Sequence, residues 1–293
     1  MPHRPLRLSE GEWQDRRHRH RERVSRFADP YLDRRSRGEK HPVEDFLFTY
    51  YSQKPGQLLR WHPGAGVLLE GGAAAERADW KYYIPDDDGV RVDARRFAEE
   101  RREAIDFARV ILARTTARPA RFGCFGLHEW AMAYRSTVNG ARHEYLQLRL
   151  GAAGTDDVVE GSRLRCTHFD AFRFYAPEAE PLNEHTPTRQ TQRDLEQPGC
   201  LHANMDLYKW AYKLTPLLSS DLVMDCFELS WRIRTMDMRA SPYDLEAWGY
   251  SPIAIETTAG KSEYVQLQRG FSEESQALRE RLLRDLEFAL ATP

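Results

Sequence analysis

The segment Arg163 to Tyr175, RLRCTHFDAFRFY, brings two chemistries into one row. Read with a period of two, Leu164, Cys166, His168, Asp170, Phe172 and Phe174 share a face. An imidazole beside a carboxylate in apolar surroundings must be paired or used, and the combination suits proton transfer. Two further segments carry narrow polar stripes. Asp206, Lys209 and Lys213 fall at i, i+3 and i+7 among Met205, Leu207, Tyr208, Trp210 and Leu214. Asp225, Glu228 and Arg232 repeat that spacing among Leu222, Phe227 and Trp231. A helix apolar on nearly every side is buried, so its few charges lie in the interior or at a cleft. Intrahelical pairing of Asp206 with Lys209 and of Glu228 with Arg232 would account for the same pattern. If the stripes instead converge on the His168 row, one pocket holds Asp206, Asp170, His168 and Glu228 as candidate acid–base groups.

The same residue types ligate metals. His168, Asp170, His202, Asp206 and Glu228 are of the kinds used by non-haem iron and zinc, with His168, Asp170 and His202 the ligands if an ion is bound. The spacing is not diagnostic, because neither H-E-x-x-H nor E-x-x-H occurs. His202, just ahead of the first stripe, is equally a neighbour of a helix cap. His128 and Glu129 are adjacent on an expected strand and so point to opposite faces. Glu129 shares its face with Phe125, Leu127 and Ala131 and is the inward one. No G-x-S-x-G elbow, Walker A loop, G-x-G-x-x-G fingerprint or deaminase P-C-x-x-C is found. Cys124, Cys166, Cys200 and Cys226 are scattered singly, which argues against a disulfide framework or zinc ribbon and for buried, inert thiols.

The elements that must position these groups are those of a globular chain. Of 293 residues, 41% are hydrophobic and 30% charged, enough to bury a core and unlike a disordered chain. No apolar run reaches the length of a membrane span, and the charged N-terminus lacks a signal-peptide core, so the expected address is cytoplasmic. The net charge of −2 hides a basic start: residues 1–40 hold 12 Lys and Arg against 7 Asp and Glu. Arg16, Arg17, Arg19, Arg21 and Arg23 read as a helical arm packed by Trp13 and Phe27, with a solvated face or a phosphate-binding one. Residues 41–88 read as irregular structure with short strands, and Asp93 caps a long helix. Alternation over Phe122 to Tyr134, His143 to Leu150 and Arg163 to Tyr175, with Asn139-Gly140 as a hairpin turn, predicts a three-stranded meander. Helices are expected over Ala203 to Leu217, from Ser219 or Ser220 to Met238, after the cap-like Ser241-Pro242-Tyr243-Asp244, and from Glu273 to Ala291.

At HPVEDFLFTYYSQKPGQLLRWHPGAGV (41–67), CLHANMDLYKWAYKL (200–214) and MRASPYDL (238–245) the chain resembles a bacterial family commonly labelled 3-methyladenine DNA glycosylase, over most of its length from about residue 10. The resemblance implies a hydrolase of DNA repair that cleaves the N-glycosidic bond of alkylated purines, with DNA as partner and no cofactor. A 3-methylated adenine is already cationic and leaves readily, so the protein must stabilise an oxocarbenium-like sugar and hold the flipped base between rings. Asp206 or Asp170 would then be the carboxylate and Tyr208, Trp210 or Trp130 the stacking rings. Lys209 and the arginine-rich arm would meet phosphates, and Arg232 and His202 would complete the substrate contacts.

These readings combine into an α+β protein: a small antiparallel sheet from the middle third covered by helices from both halves, as one domain over 41–293 behind the basic arm 1–40. Beside the glycosylase stand a metal-dependent enzyme with iron or zinc in the His/Asp/Glu pocket, and a binding module for nucleic acid or a ligand.

Overall fold

The computed structural model describes residues 6–292. The fold is α+β, a small four-stranded mixed sheet covered by helices. Among the described residues no helix is long and apolar enough to cross a membrane. The chain divides into two compact units. One takes the described residues up to Val110, with Leu207–Glu228 and the described residues from Leu278 onward; the other is Ile111–Asp206 with Leu229–Ala277.

The first unit holds the sheet. Strands β1 (Leu6–Leu8), β2 (Val67–Glu70), β3 (Tyr83–Asp86) and β4 (Gly89–Val92) are ordered β1-β2-β4-β3. β1 runs parallel to β2, and the other two pairings are antiparallel. Asp87 and Asp88 make the turn between β3 and β4. The helix Glu10–Ser36 begins where the Glu12 carboxylate accepts the Ser9 N–H at 2.9 Å, a capping-box contact. Its fully buried Trp13 packs with Leu69, Val90 and Val92, and the indole N–H donates to the Glu70 carbonyl at 2.9 Å. Arg77 is buried against the rings of Trp13, Trp61 and Trp80 and donates to the Trp61 carbonyl at 2.8 Å, so this buried cation is both stacked and hydrogen-bonded. Arg16, Arg17, Arg19 and Arg21 are exposed on the same helix, while Trp13 and His20 are buried.

The expected sheet of the middle third is not formed. Phe122 to Tyr134 contains the helix Leu127–Met132, Arg163 to Tyr175 contains the helix Phe169–Phe172, and Gly151–Glu160 is also helical. Between His143 and Leu150 only an isolated bridge, Leu148 to Tyr243, is made. All six residues of Leu127–Met132 are buried, and a short helix buried on every side cannot be told from a buried strand by alternation. Phe125 and Gly126 lie at positive φ, which turns the chain out of extended geometry. Gly140 ends a short helix over Ser136–Asn139 instead of making a hairpin. The expected helix at Ser241-Pro242 is likewise absent, and Ser241 is buried. Further helices include Ala94–Glu100, Arg102–Thr116, the short Gln192–Leu195, Leu201–Lys213, Ser220–Arg239 and Thr258–Ala291.

Buried histidine makes the first unit acid-sensitive. Burial, reinforced by the Arg77 guanidinium, depresses His62 to about 3, and its Nδ1 accepts the Tyr83 hydroxyl at 2.8 Å. The folded state therefore favours neutral imidazole. Its contribution is complete above the ordinary value near 6.5 and is lost as pH falls from there towards 3. Denaturant titrations should show about 2 kcal/mol lost from this group between pH 7 and pH 4.5, and His62→Gln should flatten that slope. An unchanged slope in the variant would refute the assignment.

Candidate functional site

The second unit contains a cavity of about 340 Å³ whose wall includes His128, His202, Cys124, Cys166, Cys200 and Tyr264. Three segments build it. The irregular stretch around Cys124 leads into the Leu127–Met132 helix and delivers His128. In the extended Leu164–His168 segment Leu164, Cys166 and His168 are buried as the alternation predicts and Arg163 and Arg165 are exposed, while Thr167 is buried as well. His202 stands in the first turn of Leu201–Lys213.

The loop ahead of that helix is tied down at several points. The Gln197 amide oxygen accepts the N–H groups of Arg121 at 2.8 Å and Gly199 at 2.7 Å. Gln268 donates to the Gly199 carbonyl at 2.6 Å, and Ser272 to the Pro198 carbonyl at 2.9 Å. Gly199 approaches the neighbouring backbone so closely that a Cβ there would lie 2.3 Å from the Arg121 carbonyl oxygen. Gly199→Ala must push this loop away, so the melting temperature should fall with a cost of about 1–3 kcal/mol, visible by calorimetry. A melting temperature equal to wild type would contradict the packing described.

Three imidazoles follow one another along the cavity wall and behind it. The rings of His128 and His202 are 4.4 Å apart, edge to face, and those of His202 and His168 are 5.3 Å apart, stacked. Each outer ring meets carboxylate. His128 Nε2 is 3.1 Å from Asp237 Oδ2. His168 Nε2 is 3.3 Å from Asp206 Oδ2 and 3.4 Å from Glu196 Oε1. His202 enters no hydrogen bond or ion pair among the described residues, and its ring packs against those of His128 and His168.

The electrostatics separate the imidazoles. Burial pulls His128 down, but the Asp237 carboxylate more than offsets it, and the net shift is upward. Burial, with His128 and His168 alongside, holds His202 well below the usual histidine range, so it is a neutral ring with a lone pair to offer. Glu129 turns to Arg234, which donates at 2.7 Å in a pair only 3% and 5% exposed. Burial opposes its charge, but Arg234 overrides this and lowers it to about 2. Burial pushes the thiols up, Cys166 to about 12, so they line the cavity as neutral groups.

Two groups have the composition and closeness of metal sites: His128, His202 and Asp237, and His168, Glu196 and Asp206, the ligand atoms of each lying within 4.8 Å of one another. The first fits an ion on two further observations. Asp237 is fully buried with its Oδ1 unpartnered, and His202 reaches the cavity with unengaged nitrogens.

The other residues singled out in the sequence lie as follows. Asp170 pairs with Arg173 at 3.0 Å, and Arg232 pairs with Glu274. Trp130 is fully buried with its indole N–H donating to the Ala240 carbonyl at 2.8 Å. In the first unit, Glu228 accepts from Arg23 at 2.6 Å, Tyr208 is buried among Tyr51, Tyr212 and Phe227, and Lys209 lies over the Trp210 ring. Glu196 and Asp237 belong to the site without having been singled out, and His128, expected on the face opposite the inward Glu129, is buried as Glu129 is and lines the cavity. Reading Leu127–Met132 as a helix would have turned His128 inward, and Arg234 and Asp237 at i, i+3 form a third buried polar stripe. No family model, curated protein or solved structure matches this chain.

Proposed function

We propose that this protein is a metal-dependent enzyme of the non-haem iron or zinc kind, its ion held by His128, His202 and Asp237 and its substrate a small molecule bound in the cavity. The observation that carries this reading is His202: a neutral imidazole at the cavity wall, unengaged by the protein and within ligand distance of a second imidazole and a carboxylate. Two histidines and one carboxylate leave coordination positions open, as catalytic rather than structural ions require. When bound, such an ion would supply Lewis acidity to a substrate oxygen or activate water or dioxygen. The chain's own part is to orient and enclose. Leu127, Leu201 and Tyr264 form the apolar part of the cavity wall, and exposed Arg121 offers positive charge to an anionic substrate group.

Calorimetric titration of chelator-stripped protein with Zn²⁺ and, under anaerobic conditions, Fe²⁺ tests this. Micromolar or tighter binding is expected. Absence of binding, together with release of methylated purine from alkylated duplex DNA by the metal-free protein, would overturn it in favour of the N-glycosylase expected from the sequence.

A further inference from the structure

We infer that the cavity takes a small carboxylic acid with an apolar, ring-sized body, its carboxylate bound by Arg121; this names the substrate class of the enzyme proposed above and rests on that reading. Charge balance leads to it. Apart from histidine, the charged residues of the wall are Arg121, Arg165 and Glu184. Arg165 Nε lies 3.0 Å from a Glu184 oxygen, so those two charges neutralise each other. Arg163 reaches the same carboxylate at 3.4 Å from outside the wall, its side chain 77% exposed, where water and salt screen it. The Arg121 guanidinium enters no hydrogen bond or ion pair among the described residues. One positive charge of the wall is thus left unbalanced, which a carboxylate monoanion matches and a phosphate dianion exceeds.

That cation is carried on a fixed backbone. The Gln197 amide accepts the Arg121 N–H at 2.8 Å and donates to the Arg121 carbonyl at 3.3 Å, and its oxygen also takes the Gly199 N–H at 2.7 Å. This loop runs directly into the Leu201–Lys213 helix, whose first turn carries His202. Arg121 and His202 are therefore positioned by the same loop, and a carboxylate anchored at Arg121 meets a site that is already ordered.

The rest of the wall suits the body of such a molecule. Phe122, Leu127, Leu201 and Tyr264 supply apolar surface, and the thiols are neutral. Thr167 lines the cavity at 7% exposure, and its hydroxyl makes no hydrogen bond among the described residues. A buried hydroxyl without a protein partner is left for an oxygen of the ligand. The 340 Å³ volume falls at the small end of the roughly 300–1,000 Å³ of ligand sites, which fits one ring and its carboxylate.

Fluorine NMR on full-length, chelator-stripped protein tests this with para-fluorobenzoate, its neutral isostere para-fluorobenzamide, and para-fluorophenyl phosphate. Wild type should bind the benzoate at least about 10-fold more tightly than the benzamide, the margin of a charge-assisted over a neutral hydrogen bond. Arg121→Gln should erase that preference, and Thr167→Val should weaken the benzoate by about 3-fold or more. Equal affinity for benzoate and benzamide in wild type, or a preference retained in Arg121→Gln, overturns the inference. Tighter binding of the phosphate ester than of the benzoate overturns the carboxylate class. A loss in Arg121→Gln with none in Thr167→Val means an anion held adventitiously at a surface arginine, and overturns the cavity assignment. Should Thr167→Val misfold, Thr167→Ala reads the same hydroxyl. Because the ion is absent from these titrations, the two readings fail separately: metal binding without benzoate preference removes only the substrate class, and benzoate preference without metal binding removes only the ion.

Discussion

Replacing His202 with alanine will weaken Zn²⁺ binding at least about 100-fold while leaving the melting temperature within a few degrees of wild type. Losing a mere orienting contact to a ligand already costs 10–100-fold, so losing a ligand must cost more. The second half of the expectation follows from what the ring does in the fold. It makes no hydrogen bond among the described residues, so truncation strands no buried donor or acceptor. Its ring contributes packing against the rings of His128 and His168. A residue kept for structure would show the opposite pattern, a large fall in stability and no change in metal affinity. Calorimetric titration beside thermal denaturation reads both, and unchanged affinity in a folded variant removes His202 from the site.

Glu129→Gln will be the most destabilising single change in this region, by about 3–5 kcal/mol. Glu129 and Arg234 form a 2.7 Å pair almost entirely out of water. Removing one charge leaves the other buried without that partner, and the lost solvation of the survivor sets the cost. Asp237 Oδ2, 3.6 Å from Arg234 Nη1, cannot replace the short contact without leaving His128. The double variant Glu129→Leu with Arg234→Met should therefore be more stable than either single variant, because it removes both solvation costs together. Urea denaturation measures all four proteins. A Glu129→Gln cost below about 1 kcal/mol, or purely additive losses, would show that the pair is not buried as described.

Much of the outline was legible. The α+β class, the helical arm carrying Trp13 and Phe27, the Asp93 cap, whose side chain accepts the Arg96 N–H at 2.9 Å, and the helix capped at Ser219 or Ser220 all have local signals that the structure honours. The location of the sheet was not. Residues 67–92 form short strands of four residues each, too short to show clear alternation, while the alternating runs within 122–175 fold as short helices and irregular segments instead of strands.

The site divides along the same line. His168, His202 and Asp206 could be singled out because each interrupts an apolar pattern, and the structure brings the three together. Asp170 was placed beside His168 by a period of two that ends at His168, where the chain turns into Phe169–Phe172 and Asp170 swings to Arg173. Glu196 lies in a loop, where no periodicity exists to mark a residue as inward. Asp237 and His128 depend on contacts 109 positions apart, which a single sequence does not encode locally.

The most direct test of the metal centre is crystallographic. Crystals grown from protein reloaded with Zn²⁺, measured on both sides of the zinc absorption edge, should show an anomalous peak within about 2.0–2.2 Å of ring nitrogens of His128 and His202 and of an Asp237 oxygen. A peak-free map in which His128 still hydrogen-bonds directly to Asp237, with His202 facing only solvent, would contradict the account.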